Sequence, residues 1–181
     1  MKKLIFITCI MFSFFSKVHA NYDFLAYDFK FKDIDGNELE LKKYKEKVII
    51  IVNVASRCGF TNQYEDLQNL WTDYKNKELV VIGVPTNNFK QEPGSNKDIK
   101  SFCETNFGIS FPITQKIDVL GDKAHPFYKW AKKNYGKPAI PKWNFHKIVI
   151  NKEGKIGNTF ASITKPSSSR FIKYIEQEIK K

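Results

Sequence analysis

Val48-Ile49-Ile50-Ile51-Val52-Asn53-Val54 is the stretch on which the reading of this chain turns. It is aliphatic and β-branched at every position but Asn53, with no polar stripe at helical spacing. A short continuous run of that kind predicts a strand covered on both faces, the usual state of a central strand in an α/β sheet. After it, Ala55 to Thr61 mixes small and polar residues, and Asn62 with Glu65 has the spacing of a capping box. Tyr64, Leu67, Trp71 and Tyr74 then recur at helical intervals. Leu79-Val80-Val81-Ile82-Gly83-Val84 is a second buried-strand run, ended by Pro85. Strand, helix and strand in that order predict two parallel strands joined by a crossover helix.

On the N-terminal side, Phe29-Lys30-Phe31-Lys32-Asp33 and Glu38-Leu39-Glu40-Leu41 alternate around the turn Asp35-Gly36-Asn37, the pattern of a β-hairpin. Downstream, Ser95 is placed to cap a helix running to about Asn106, with Ile99, Phe102, Cys103 and Phe107 on one face and Gly108 as its stop. Pro126 suits the first turn of a short helix over Phe127 to Tyr135. His146 to Ile150 and Lys155 to Phe160 flank the turn Asn151-Lys152-Glu153-Gly154 as a second hairpin. Ser167 or Ser168 starts a last helix with Phe171, Ile172, Ile175 and Ile179 inward. With no internal repeat and no long linker, residues 21–181 read as one domain. A parallel pair followed by an antiparallel hairpin and a closing helix is the thioredoxin arrangement. The expected fold is therefore α/β, with a mixed central sheet flanked by helices, an N-terminal β-hairpin and an inserted helix between Ser95 and Phe107.

Composition narrows the function classes. At 42% hydrophobic and 15% aromatic residues the chain is not a disordered one. No apolar run is long enough for a membrane span, and three cysteines in 181 residues are too few for a disulfide scaffold. The net charge of +11 comes almost wholly from scattered lysines, since only Arg57 and Arg170 are arginines. Phosphate recognition favours the arginine fork, so the charge reads as a basic solvated surface rather than a nucleic-acid footprint. A weak attraction to anionic membrane surfaces is the contact it implies. Lys2 and Lys3, the apolar run Leu4 to Phe15 and the small-residue end at Val18-His19-Ala20 form the pattern of a secretory signal peptide over residues 1–20. A cut after Ala20 would send the chain into the secretory pathway, lower the net charge from +11 to +8 and leave Cys58 and Cys103. Cys58, Cys103, His125 and His146 show no metal-ligand spacing, and no glycine-rich phosphate loop is present, so neither metal nor cofactor is expected.

Cys58 falls between the first core strand and the first helix, at the strand-end crevice where α/β sheets bind ligands. A helix start offers free backbone N–H groups, Arg57 adds positive charge, and both favour the thiolate that thiol redox chemistry uses. A buried inert cysteine is the competing reading. The motifs around it separate the two. Asn53-Val54-Ala55-Ser56-Arg57-Cys58-Gly59-Phe60-Thr61 resembles the glutathione peroxidase family, in which cysteine or selenocysteine holds the Cys58 position. Asn87-Asn88-Phe89-Lys90-Gln91-Glu92-Pro93-Gly94 is similar to that family's second motif, and Trp143-Asn144-Phe145-His146-Lys147 to its third. The resemblance covers residues 23–181. It implies a thiol peroxidase for hydrogen peroxide and organic or lipid hydroperoxides, with Cys58, Gln91, Trp143 and Asn144 as catalytic residues. The residue types suit that chemistry: a thiolate attacks the peroxide, Gln91 and Trp143 are N–H donors, and Asn144 can steady charge or relay a proton through water.

Phe102-Cys103 resembles the resolving-cysteine sequence of the thioredoxin-dependent, cysteine-type members. By that resemblance Cys103 closes a disulfide with oxidised Cys58, and thioredoxin, or less efficiently glutathione, reopens it. A cysteine on a helix face would not lie against Cys58, so this scheme requires the helix around Cys103 to unwind. Ser95, Asn96, Asn106 and Gly108 predict weak ends for it. Thr86 stands where a further family cysteine is often found, which excludes a three-cysteine scheme. Only Gly136 to Lys142 separates the short helix from Trp143, whereas tetrameric members carry an additional loop there. The short link resembles the monomeric phospholipid-hydroperoxide subgroup, whose open site admits bulky peroxides. Two other functions stay open: a peroxide sensor or disulfide relay protein, and a non-catalytic thioredoxin-like module with a structural Cys58–Cys103 disulfide. Gln91, Trp143 and Asn144 together speak against the last.

Overall fold

The computed structural model describes residues 22–181, and the expected signal peptide with its cut after Ala20 lies outside them. The hairpin strands are β1 (Lys30–Lys32) and β2 (Glu38–Glu40). The run Val48–Val54 forms β3 with all seven residues buried, helix α1 spans Gln63–Tyr74, and β4 spans Leu79–Pro85. Then follow α2 (Asn96–Phe107), α3 (Pro126–Tyr135), β5 (Lys147–Ile150), β6 (Ile156–Phe160) and α4 (Ser169–Lys180). The main sheet has the order β4-β3-β5-β6. Strand β3 runs parallel to β4, with Ile50 opposite Val81, and antiparallel to β5, with Ile50 opposite Val149. β5 and β6 are antiparallel.

The two-residue period of β3 divides the core. Val48, Ile50, Val52 and Val54 point to one face, where Tyr64 and Leu67 of α1, Ile99 and Cys103 of α2, and Phe171 and Ile175 of α4 cover them. Ile49 and Ile51 point to the other, against Phe31 of the hairpin and Phe127, Trp130 and Ala131 of α3. Each fully buried aliphatic side chain contributes roughly 2 kcal/mol, so both layers are needed to make β3 a strand rather than an exposed apolar ribbon. The segment from Pro112 to Thr114 lies along the outer edge of β4: the Gly83 N–H donates to the Pro112 carbonyl, and the Thr114 N–H to the Gly83 carbonyl, both at 2.9 Å.

The helix ends follow local chemistry with three departures. At α3, Pro126 takes the first position, and His125 accepts from the Phe127 N–H through Nδ1 while Nε2–H donates to the Lys30 carbonyl. At α1, Asn62 makes no side-chain cap. The Thr61, Gln63 and Tyr64 N–H groups are satisfied by the carbonyls of Cys58, Phe60 and Thr61 in a run of turns, so no capping box is needed. At α4, Ser168 holds the cap position, but its hydroxyl donates to the Lys165 carbonyl instead.

The third departure is the firmness of α2. Its ends are sealed, not weak. Ser95 Oγ accepts from the Asp98 N–H, and the Asp98 carboxylate accepts from Ser95 N and Oγ at 2.8 and 2.7 Å. At the other end Gly108 is left-handed (φ 57°), its N–H donates to the Glu104 carbonyl at 3.0 Å, and the Ile109 N–H donates to the Cys103 carbonyl at 3.3 Å. The Asn106 side-chain amide donates to the Phe102 carbonyl. Reciprocal bonds of this kind are worth about 1 kcal/mol per cap.

Candidate active site

The site is built at the C-terminal end of β3. Asn53, the one polar residue of that strand, is buried, and its side-chain amide donates to the Trp143 carbonyl at 3.1 Å. Its carbonyl accepts from the Phe145 N–H, and its N–H donates to the His146 carbonyl. Asn53 thus extends the β3–β5 pairing across the segment Trp143 to His146, where Phe145 takes a positive φ of 64°. The segment leaves Trp143 41% exposed, with its ring 5.5 Å from Phe89, and buries Asn144 completely.

A second loop closes over the first. The Asn144 side-chain amide donates to Gln91 Oε1 at 2.9 Å. The Gln91 carbonyl accepts from the Arg57 N–H at 3.0 Å, which ties this loop to the residue before Cys58. Glu92, 1% exposed, accepts from both the N–H and the hydroxyl of Ser56, at 2.7 and 2.8 Å. Burial lifts the Glu92 carboxyl above its ordinary range against the pull of the Ser56 bonds. Asn87 Oδ1 accepts from the Glu92 N–H, and Lys116 Nζ donates to the Glu92 and Gly94 carbonyls. The loops carrying Cys58, Gln91 and Asn144 are therefore held to one another by backbone and side-chain bonds.

Cys58 is buried at 5% exposure with a free thiol. Among the described residues its sulfur makes no hydrogen bond to Gln91, Trp143 or Asn144. Helix α1 begins only at Gln63, further along than the helix start expected beside Cys58, and in the turn between them the Thr61 and Gln63 N–H groups donate to the Cys58 and Phe60 carbonyls. Cys103 is fully buried and free, on the inner face of α2 as its spacing predicted. Burial pushes its thiol up to about 12, opposed by the Tyr64 hydroxyl. The composition of these contacts was not visible beforehand, except that Asn53 is the single polar residue in an aliphatic strand. Ser56, Glu92 and Tyr64 gave no separate signal.

One more buried group lies behind the site. Lys147 is fully buried, and its ammonium donates to Gln63 Oε1 and the Thr164 carbonyl, while Gln63 Nε2 donates to the Ser162 carbonyl. Burial brings Lys147 down to about 7, opposed by the charge of Asp66. Beside it His146 is lowered to about 4, by burial first and the Lys147 charge second, and among the described residues its Nε2 has no partner.

A parallel βαβ unit, an antiparallel β5–β6 pair and a cysteine in the loop after the central strand define a thioredoxin-fold thiol protein. A thiol:disulfide interchange protein of the thioredoxin family from Chlorobium tepidum shares this fold, with a TM-score of 0.64 over 83% of this chain and 92% of its own at 15% identity. The crystal structure of Trgpx in apo form superposes with a TM-score of 0.70 at 36% identity, covering 88% of this chain and 97% of that one. The family model described as glutathione peroxidase matches residues 26–132. Glutathione peroxidase-like peroxiredoxin 2 of Saccharomyces cerevisiae is 44% identical over 158 residues, which is 84% of this chain and 93% of the yeast protein. Hydroperoxy fatty acid reductase gpx1 of Synechocystis is 40% identical over 149 residues, 77% of this chain and 88% of that protein. The chain belongs to the glutathione peroxidase family and is a thiol-dependent peroxidase.

Proposed function

We propose that the protein reduces hydrogen peroxide and organic or lipid hydroperoxides through a Cys58 sulfenic acid and a Cys58–Cys103 disulfide. The observation that carries this reading is the convergence of three loops at the end of β3, with Gln91 and Asn144 bonded to each other beside the loop that bears Cys58. The Cys58 thiolate attacks the distal peroxide oxygen. An S–O bond forms, the O–O bond breaks, and the alkoxide or hydroxide leaves as alcohol or water after taking a proton. Gln91 and Trp143 supply N–H donors to the charge that moves between sulfur and oxygen, and Asn144 orients Gln91. Cys103 then displaces water from the sulfenic acid to form the disulfide, and a dithiol of the thioredoxin type regenerates both thiols. Glutathione serves as a slower donor.

The substrate range follows from the approach to the site. Trp143 and Ile163 are exposed apolar side chains. A cavity of about 380 Å³ is lined by Ile140, Pro138 and Ala161 together with Lys137, Lys142 and His146, so Lys142, next to Trp143, and His146, just beyond Phe145, border an apolar space with a cationic edge. That supports amphiphilic hydroperoxides as substrates, the class named for the Synechocystis relative. The short link from Gly136 to Lys142 supports a monomer. Steady-state peroxide consumption with thioredoxin and with glutathione, using hydrogen peroxide and a fatty-acid hydroperoxide, tests the reading. Turnover with thioredoxin that survives Cys103→Ser undiminished overturns the disulfide step.

A further inference from the structure

Cys103 sits in a helix whose two ends are capped, so its release is not governed by fraying. A helix of twelve residues is still marginal alone. What keeps α2 wound around Cys103 is the surface on which it docks, and that surface is aromatic. Tyr64, in the first turn of α1, is fully buried. Its ring centre lies 6.3 Å from Phe102 and 5.2 Å from Phe107, the residues before Cys103 and one turn after it. The same ring meets Phe145, the neighbour of Asn144, edge-on at 5.2 Å. Phe102 and Phe107 also meet each other at 5.6 Å. Among the described residues the Tyr64 hydroxyl has no oxygen or nitrogen partner, and the groups that act on it are Cys103 first, then Glu92 and Cys58. Tyr64, Cys58, Cys103 and Phe145 share one core cluster, with Phe102 and Phe107 packed against it.

We propose that Tyr64 is a positioning residue that sets the rate of disulfide formation: its ring holds Phe102 and Phe107 and so retains Cys103 within α2 until the aromatic cluster opens. The inference rests on the reading of Cys103 as the resolving cysteine. In that step the Cys103 sulfur attacks the sulfur of the Cys58 sulfenic acid. The S–S bond forms, the S–O bond breaks, and the departing hydroxide leaves as water with the thiol proton of Cys103. The oxidant is the peroxide already consumed in forming the sulfenic acid. In this proposal Cys103 leaves the face that Tyr64 covers before the attack, so the ring contacts belong to the starting state and not to the product.

Tyr64→Leu removes the ring, Tyr64→Phe keeps it without the hydroxyl, and Phe107→Leu loosens the cluster from the α2 side. One equivalent of hydrogen peroxide, rapid quenching, thiol alkylation and peptide mapping resolve Cys58 oxidation from Cys58–Cys103 linkage. Linkage is expected about tenfold faster in Tyr64→Leu and Phe107→Leu and within about twofold of the parent in Tyr64→Phe, with oxidation within about twofold in all three. Phe160→Leu, whose ring packs on Phe171 and Tyr174, controls for general loss of stability and leaves both rates unchanged. Unchanged or slower linkage in both leucine variants of the cluster overturns the proposal. So does equal acceleration in Phe160→Leu, or acceleration in Tyr64→Phe that matches Tyr64→Leu. Cys103→Ser separates the two readings. A second step that persists there removes Cys103 as the resolving residue, whereas its loss there with unchanged linkage in the cluster variants removes only the role of Tyr64.

Discussion

Asn144 and Gln91, 53 residues apart, are joined by a 2.9 Å bond in which the Asn144 amide donates and Gln91 Oε1 accepts. The bond decides which way the Gln91 amide faces: with Oε1 engaged, the Nε2 donor is turned away from Asn144, free for sulfur or peroxide. Asn144→Ala is expected to slow Cys58 oxidation about ten- to a hundredfold, and Gln91→Ala about as much or more, by analogy with removing a single transition-state donor. Trp143→Phe should fall in the same range. Stopped-flow oxidation of Cys58 at parental rates in all three would take the amides and the indole out of the mechanism.

Cys58→Ser should reduce peroxide consumption to background, because the hydroxyl does not ionise near neutral pH. Cys58 lies in the turns before α1, and among the described residues its side chain makes no hydrogen bond that serine would forfeit, so the fold should survive. Circular dichroism and thermal unfolding close to those of the parent check the second half of the expectation. Measurable peroxidase turnover in the variant contradicts the first.

Two left-handed glycines should differ in their tolerance of alanine. At Gly154 (φ 76°) an added Cβ would come within 2.7 Å of two Tyr27 ring carbons, and Tyr27 is pinned by its hydroxyl bond to the Lys152 carbonyl. Strain and clash add, so Gly154→Ala is expected to cost roughly 2–4 kcal/mol. At Gly108 (φ 57°) an added Cβ meets no other described residue within 4 Å, and only the backbone cost of roughly 1 kcal/mol applies. Urea unfolding of the two variants side by side measures the difference, and equal losses would refute it.

Acid should weaken the fold through His146. Its folded value near 4 lies below the ordinary 6.5, so between those limits the unfolded chain binds a proton that the folded chain refuses. Stability is then full above pH 6.5 and is lost as pH falls toward 4, by about 3 kcal/mol. Lys147, lowered to about 7, works in the same sense at higher pH: its contribution grows as pH rises from about 7 toward 10.5. Denaturant midpoints across pH 4–10 should show both limbs. His146→Gln should flatten the lower one and Lys147→Met the upper. A parent curve that is level from pH 4 to 6.5 would mean that His146 titrates normally.

Much of this architecture is legible in short-range pattern. The aliphatic run of β3, the Ser95 cap, the Gly108 stop and the Pro126 start each depend on a few adjacent residues, and each lies where its chemistry puts it. Asn62 misled for the same reason in reverse, because turns from Cys58 onward satisfied the donors that its side chain would have capped. The tightness of α2 was misjudged because small polar residues at a helix end can fray it or seal it, and the outcome depends on the Asp98 carboxylate reaching back to Ser95. Cys58, Gln91, Trp143 and Asn144 could be named as candidates from motif order. The bonds that assemble their loops could not, since Asn53 to Trp143, Ser56 to Glu92 and Asn144 to Gln91 all join segments distant in sequence. Nor could the burial of Lys147, the one charged residue at the head of an aliphatic strand, which Gln63 and Thr164 enclose.

The segment Pro112 to Thr114 on the outer side of β4 bears on how copies of this protein can meet. It consumes the N–H and carbonyl of Gly83, and Ile117 takes the Pro85 carbonyl, so the upper half of that border offers no free ladder to a strand from a second molecule. The opposite border is β6, whose pairing with β5 is broken by a register shift at Val149 and Ile150. A bent, short strand is a poor template for continuous pairing. Sheet extension between molecules is thus blocked along the upper half of one border of the main sheet and irregular on the other, which turns self-association through this sheet toward side-chain surfaces.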